Sequence, residues 1–291
     1  MNFTGSMTAI VTPFNDGTID EQALRTLCEW QIAEGICALV PCGTTGEAAT
    51  LSMDERQRVI SIVVDAAQKR VPVIAGTGSN NTSKAIELAY LAQEAGADAQ
   101  LQVCPYYNKP TQEGLYQHFA KIADETEIPI ILYNVPGRTA VNMTAETTLR
   151  LSKLESIVGI KEASGDIDQV KAIASGAPED FVILSGEDAQ NLEIYKAGGK
   201  GCISVTANVV PSQVTKVWKQ FESNAIADAD GAQDEIQKLN AAMFYETNPI
   251  PVKTSLAMMG KIREEFRLPL TPIGEENRKR LRGILESYGL V

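Results

Sequence analysis

Ile157-Val158-Gly159-Ile160-Lys161-Glu162-Ala163-Ser164-Gly165 is the stretch on which the reading of this sequence turns. A short apolar run bounded by glycine has the pattern of a parallel strand buried on both faces. At its C-terminal end stands a lysine. Desolvation penalises an ammonium in a strand interior unless it is paired, and the same penalty favours the free amine, a nucleophile towards carbonyl carbon. Taken alone, a lysine that snorkels to water is the simpler explanation. The rest of the chain changes that balance.

Working outward, strand-like runs at 7–12, 38–40, 73–75, 99–103, 130–133, 157–161, 181–184 and 203–205 alternate with helical patterns. Asp20, Ser52 and Thr82 stand where the first of these helices begin, with Asp and Ser suited to capping. Eight βα units in roughly 220 residues predict an α/β fold, a (β/α)8 TIM barrel. The alternative is an open doubly wound sheet, which lacks its usual support. No GxGxxG follows the first strand, and no GxxxxGK[ST] occurs anywhere. From Pro211 onward the pattern is helical, with segments at 212–223, 227–245, 251–259 and 275–287. That exceeds one barrel helix, so residues 1–224 are assigned to a catalytic barrel and 225–291 to a C-terminal helical domain.

The bulk properties bound the function classes. In 291 residues, 44% are hydrophobic and 22% charged, and the formal net charge is −11. Such an acidic chain has nothing to draw it to nucleic acid or an anionic membrane. The five cysteines form no CxxC pair and are expected to be reduced thiols of a cytoplasmic protein. No basic leader or long apolar span is visible. With His118 the single histidine, an HExxH metal site is excluded, and His118 is expected to be structural, on a helix. Acid–base work falls to Tyr, Lys, Glu or Asp.

Barrel active sites lie at the C-terminal ends of the strands. The predicted strands present Thr44 and Thr45, Tyr106 and Tyr107, Tyr133 and Arg138, Lys161, Gly186 and Ile203 there. Each has an ordinary structural explanation by itself: turn chemistry, core filling, a surface cation. Converging on one mouth, they form a site. Lys161 would attack the ketone of a small keto acid, and the glycine-flanked Thr44–Thr45 backbone would hold its carboxylate. Tyr133 would move protons; a phenol titrating near ~10 needs a relay or a cation to act as a base. Arg138 suits a second anionic substrate, because its planar fork binds carboxylates bidentately.

Four motifs, GTTGE at 43–47, PYYNKP at 105–110, YNVPGRT at 133–139 and GIKEASG at 159–165, resemble the dihydrodipicolinate synthase family (4-hydroxy-tetrahydrodipicolinate synthase) along essentially the whole chain. The resemblance implies a lyase that condenses pyruvate with aspartate-4-semialdehyde in lysine and diaminopimelate biosynthesis. It implies no metal or organic cofactor, with pyruvate bound covalently, and a homotetramer built as a dimer of dimers. Lys161 would form the Schiff base. Tyr133, Thr44 and Tyr107 would relay protons, Tyr107 reaching into the neighbouring subunit. Thr45 would bind the pyruvate carboxylate and Arg138 the semialdehyde carboxylate, with Gly186 and Ile203 lining the pocket through their backbones. N-acetylneuraminate lyase and sugar-acid aldolases share the lysine and tyrosine; Arg138 and Tyr107 side with the synthase. A non-catalytic binding paralogue is a third alternative.

The resemblance also implies an inhibitory lysine cleft, for which Asn80 and Tyr106 match. Lys84 stands where that cleft carries glutamate, and Met53 and Arg56 stand at its histidine positions. A cation in place of an anion beside a cationic ligand costs roughly 1–4 kcal/mol at close range near a surface. Weak or absent lysine inhibition is expected.

Overall fold

The computed structural model describes residues 3–291. Its parallel strands are β1 (Gly5–Thr8), β2 (Ala38–Leu39), β3 (Ile74–Gly76), β4 (Ala99–Val103), β5 (Ile130–Asn134), β6 (Ile157–Glu162), β7 (Val182–Ser185) and β8 (Gly201–Ser204). They run in the order β2-β1-β8-β7-β6-β5-β4-β3. A parallel bridge between Leu39 and Val73 joins the two ends, reinforced where the Gly76 N–H donates to the Pro41 carbonyl at 2.9 Å. The sheet therefore returns on itself as the expected (β/α)8 barrel. Met7, Val40, Ile74, Leu101, Ile131 and Leu184 fill its interior.

The outer helices are α1 (Glu21–Ala33), α2 (Met53–Ala67), α3 (Thr82–Glu94), α4 (Gln112–Glu125), α5 (Ala145–Leu151), α6 (Ile167–Gly176), α7 (Asn191–Lys196) and α8 (Pro211–Glu222). Asp20, Asn81, Thr111, Thr144 and Asp166 each accept a hydrogen bond from the first turn of their helix. Ser52 and Glu55 make a reciprocal capping box on α2. Thr82 thus lies inside α3, with Asn81 as its cap.

The first and last strands start earlier than the apolar runs suggest, at Gly5 rather than residue 7 and at Gly201 rather than 203. These glycines lie opposite one another in the ladder. A Cβ on Gly201 would stand 2.1 Å from the Gly5 carbonyl oxygen, so the closest backbone approach in the seam is hidden from any search for β-branched residues. Beyond Thr8 the chain continues across the ladder, with Ala9 N–H bonded to Ser204 and Ile10 N–H to Val40. An antiparallel hairpin, Phe14–Asn15 with Thr18–Ile19, occupies the first βα loop.

After α8 come α9 (Ile226–Ala242), α10 (Ile250–Met258) and α11 (Glu275–Ser287). One apolar cluster runs from Ile10, Phe14 and Leu24 of the barrel through Trp218 into Leu239, Leu256 and Leu281. This helical part is seated on the barrel, and residues 244–249 pass over its mouth. All five cysteines are free, and burial pushes the thiols of Cys28, Cys42 and Cys202 up to about 12.

His118 is buried on α4, as a structural residue. Its Nδ1 lies 2.9 Å from the Thr82 hydroxyl, and its ring meets Phe119 edge-on at 4.9 Å. Burial lowers its pKa to about 4. The unfolded chain takes up this proton near pH ~6.5 while the folded chain does not. Stability contributed by the neutral ring is therefore complete above that pH and declines as pH falls towards the folded value. The single imidazole NMR resonance should titrate near pH 4, with roughly 3 kcal/mol lost over that interval. A midpoint near ~6.5 would show an imidazole in ordinary contact with water.

Candidate active site

Side chains alternate between the two faces of a strand, and this separates two adjacent ionisable groups on β6. Lys161 turns into the barrel mouth and is 5% exposed. Glu162 turns outward, where the Asn134 amide donates to both its oxygens at 3.2 Å. The Ser164 N–H and the Gln169 amide complete its shell at 2.7 and 3.0 Å. Burial pushes the Glu162 carboxyl above its ordinary range while those donors oppose the shift. The carboxylate beside Lys161 in sequence is thus engaged elsewhere.

Lys161 makes no salt bridge among the described residues. Its neighbour is Tyr133, paired with it across the β5–β6 ladder. The Nζ atom lies 4.3 Å from the centre of the Tyr133 ring, within cation–π range. Room for the lysine comes from Gly186, at the end of β7. A Cβ there would come within 2.9 Å of Lys161 Cε and 2.8 Å of Ala163 Cβ.

The 43–47 loop folds over the end of β2. Gly46 N–H reaches the Gly43 carbonyl at 3.2 Å, and Glu47 N–H reaches that of Thr44 at 3.1 Å. Thr45 is buried, its hydroxyl accepting from the Asn248 amide at 3.0 Å, whereas Thr44 is exposed. Arg138 sits in the helical turn Pro136–Thr139 after β5, and its guanidinium donates to the Asn248 carbonyl at 3.5 Å. Thr44, Thr45, Tyr133, Arg138, Lys161 and Gly186 border one cavity of about 390 Å³. Burial raises the pKa of Glu187 at its edge, with the Asp188 charge adding to the shift and the Lys161 charge opposing it.

Other expected site residues lie apart. Tyr107 is 88% exposed, with a left-handed φ of 74°, and does not line the cavity. Ile203 is buried in the barrel interior. Asn80 and Lys84 lie outside the cavity; the Asn80 amide donates to the Tyr106 carbonyl at 3.1 Å, and Lys84 pairs with Glu87 at 2.9 Å. Tyr106 and Arg56 do border the cavity. Burial lowers the Arg56 pKa, with the nearby Cys42 and Tyr106 groups opposing.

Reasoning from the sequence missed the helical part's contribution. Phe244, Thr247, Asn248 and Pro249 border the cavity. Glu47, quoted in the loop motif without a role, is ion-paired to Lys253 of α10, and neither side chain is exposed. Burial lowers the Lys253 pKa, with Glu47 opposing. The available signal was a lysine inside an apolar segment, Ile250 to Leu256.

The fold and site define a (β/α)8-barrel lyase. The chain belongs to the dihydrodipicolinate synthetase family, whose model matches residues 2–288. It is 54% identical over 289 residues to the 4-hydroxy-tetrahydrodipicolinate synthase of Thermodesulfovibrio yellowstonii, covering 99% of each chain. Among solved structures, dihydrodipicolinate synthase from Aquifex aeolicus superposes with a TM-score of 0.97 at 44% identity, covering 99% of each chain. The chloride-inhibited enzyme from Acinetobacter baumannii, complexed with pyruvate, superposes with a TM-score of 0.97 at 46% identity, covering 100% of each.

Proposed function

We propose that this chain is a 4-hydroxy-tetrahydrodipicolinate synthase, condensing pyruvate with L-aspartate-4-semialdehyde through a Schiff base on Lys161. The observation that carries the mechanism is a dry lysine against Tyr133, with no salt bridge among the described residues. Its free amine attacks the pyruvate ketone, water leaves from the carbinolamine, and an imine forms. The imine acidifies the adjacent methyl group, so loss of a proton yields an enamine. The enamine carbon attacks the semialdehyde's aldehyde carbon. The substrate's own amine then displaces Lys161 as the ring closes.

Thr45 and the loop backbone hold the pyruvate carboxylate, and Arg138 grips that of the semialdehyde. Arg138 in the same cavity as Lys161 supports the semialdehyde over a neutral sugar-acid aldehyde. Tyr133 and Thr44 relay protons with Tyr107, whose exposure on the single chain suits a reach into a neighbouring subunit of a homotetramer. Gly186, which borders the cavity, completes the pocket through its backbone. Lys161 itself supplies the electron sink, so neither metal nor organic cofactor is required. The barrel of residues 1–224 carries the chemistry, and the helical domain of residues 225–291 covers it. A cytoplasmic location is supported by five free thiols; among the described residues no helix is long and apolar enough to cross a membrane.

Borohydride reduction in the presence of pyruvate should add one three-carbon unit to Lys161, located by peptide mass mapping, and the unreduced enzyme should turn over the semialdehyde. Label on another lysine, or none, contradicts the mechanism; turnover only of sugar-acid aldehydes contradicts the substrate.

Feedback by lysine should be weak or absent. A cationic ligand beside Asn80 and Tyr106 would meet Lys84, part-neutralised by Glu87, and Arg56, for which the described residues provide no carboxylate partner. Titration with lysine at physiological concentration should leave the rate unchanged; strong inhibition would show that other groups outweigh these charges.

A further inference from the structure

Of the buried charged groups outside the reacting set, Glu47 and Lys253 are the pair placed to act on it. Their ion pair is closed to water on both sides. Lys253 Nζ lies 4.3 Å from the Phe14 ring centre and 5.1 Å from that of Phe266. The second Glu47 oxygen accepts from the Arg267 N–H at 3.2 Å. Replacing such a pair by well-packed apolar groups is often neutral or stabilising, so stability alone is a weak reason for its presence. Glu47 also holds a left-handed backbone, φ 53°, which glycine would adopt with less strain. What glutamate adds at this position is its carboxylate.

The two partners continue directly into the site. Two residues before Glu47 is Thr45; five before Lys253 is Asn248. The Asn248 amide donates to the Thr45 hydroxyl at 3.0 Å, and its carbonyl accepts from Arg138 at 3.5 Å. The ion pair and this polar bridge therefore fasten the same two segments at two points. The geometry points to Glu47 and Lys253 as positioning residues that lock the 43–47 loop to the 248–253 segment, setting Thr45 and Arg138 in register for the two substrate carboxylates. The inference rests on Thr45 and Arg138 having those binding roles.

The test compares Lys253→Met, Glu47→Gln and the double variant Glu47→Gln/Lys253→Met with the unmodified enzyme. Lys253→Met should lower Tm, because it leaves a buried carboxylate unpaired. The double variant, with no buried charge, should recover most of that loss. Its KM for both pyruvate and the semialdehyde should nevertheless rise together, by roughly 10- to 100-fold, as expected for displaced binding groups. Borohydride trapping on Lys161 at saturating pyruvate should remain. Glu47→Gln, which keeps the side-chain shape, should move both KM values in the same direction by less, and decides the matter if the double variant does not fold. Unchanged KM values in a folded double variant, or in Glu47→Gln if that is the one that folds, would overturn the positioning role. Failure of pyruvate to label Lys161 in the unmodified enzyme would instead overturn the reading on which the inference rests.

Discussion

Two lysines are buried in this molecule under opposite conditions, and the contrast organises the site. Lys253 has a carboxylate, and the pair is closed to water. Lys161 is nearly as dry, 5% exposed, but packs against the face of a phenol with no salt bridge among the described residues. The Glu47 carboxylate fixes the Lys253 side chain in place, whereas Lys161 has no such partner to hold it among the described residues. The same residue type is thus ion-paired in one place and, in the mechanism we propose, is the nucleophile in the other.

That difference is built by strand geometry. Alternation along β6 sends Glu162 out to Asn134 and Gln169 while Lys161 faces in. Closure of the ring brings β2 beside β1 and β3, so the 43–47 loop shares a cavity with side chains from the far side of the barrel. Gly186 leaves the lysine its space. The helical part then covers the mouth, and Asn248 touches both the buried threonine and the arginine. The site is thus a product of barrel and helices together.

Much of this was legible in the chain. The eight strands and their order of appearance, the helix caps at Asp20 and Ser52, and the clustering of Thr44, Thr45, Tyr133, Arg138 and Lys161 follow from local pattern plus the rule that barrel sites lie at strand C-termini. The start of β1 was obscured because Gly5 and Gly201 meet backbone to backbone, a contact with no side-chain signature. The roles of Asn248 and Lys253 were hidden for another reason: their partners, Thr45 and Glu47, are more than 200 positions away in sequence. Tyr107, which the motif placed in the site, is exposed on the single chain and does not border the cavity.

In the mechanism we propose, the Lys161 amine becomes covalently joined to a three-carbon keto acid inside this cavity. A crystal structure of the enzyme soaked with pyruvate tests it most directly. Continuous density should run from Lys161 Nζ to the former ketone carbon, with the carboxylate against Thr44 and Thr45. Pyruvate bound without a bond to Lys161, or joined to a different lysine, would contradict it.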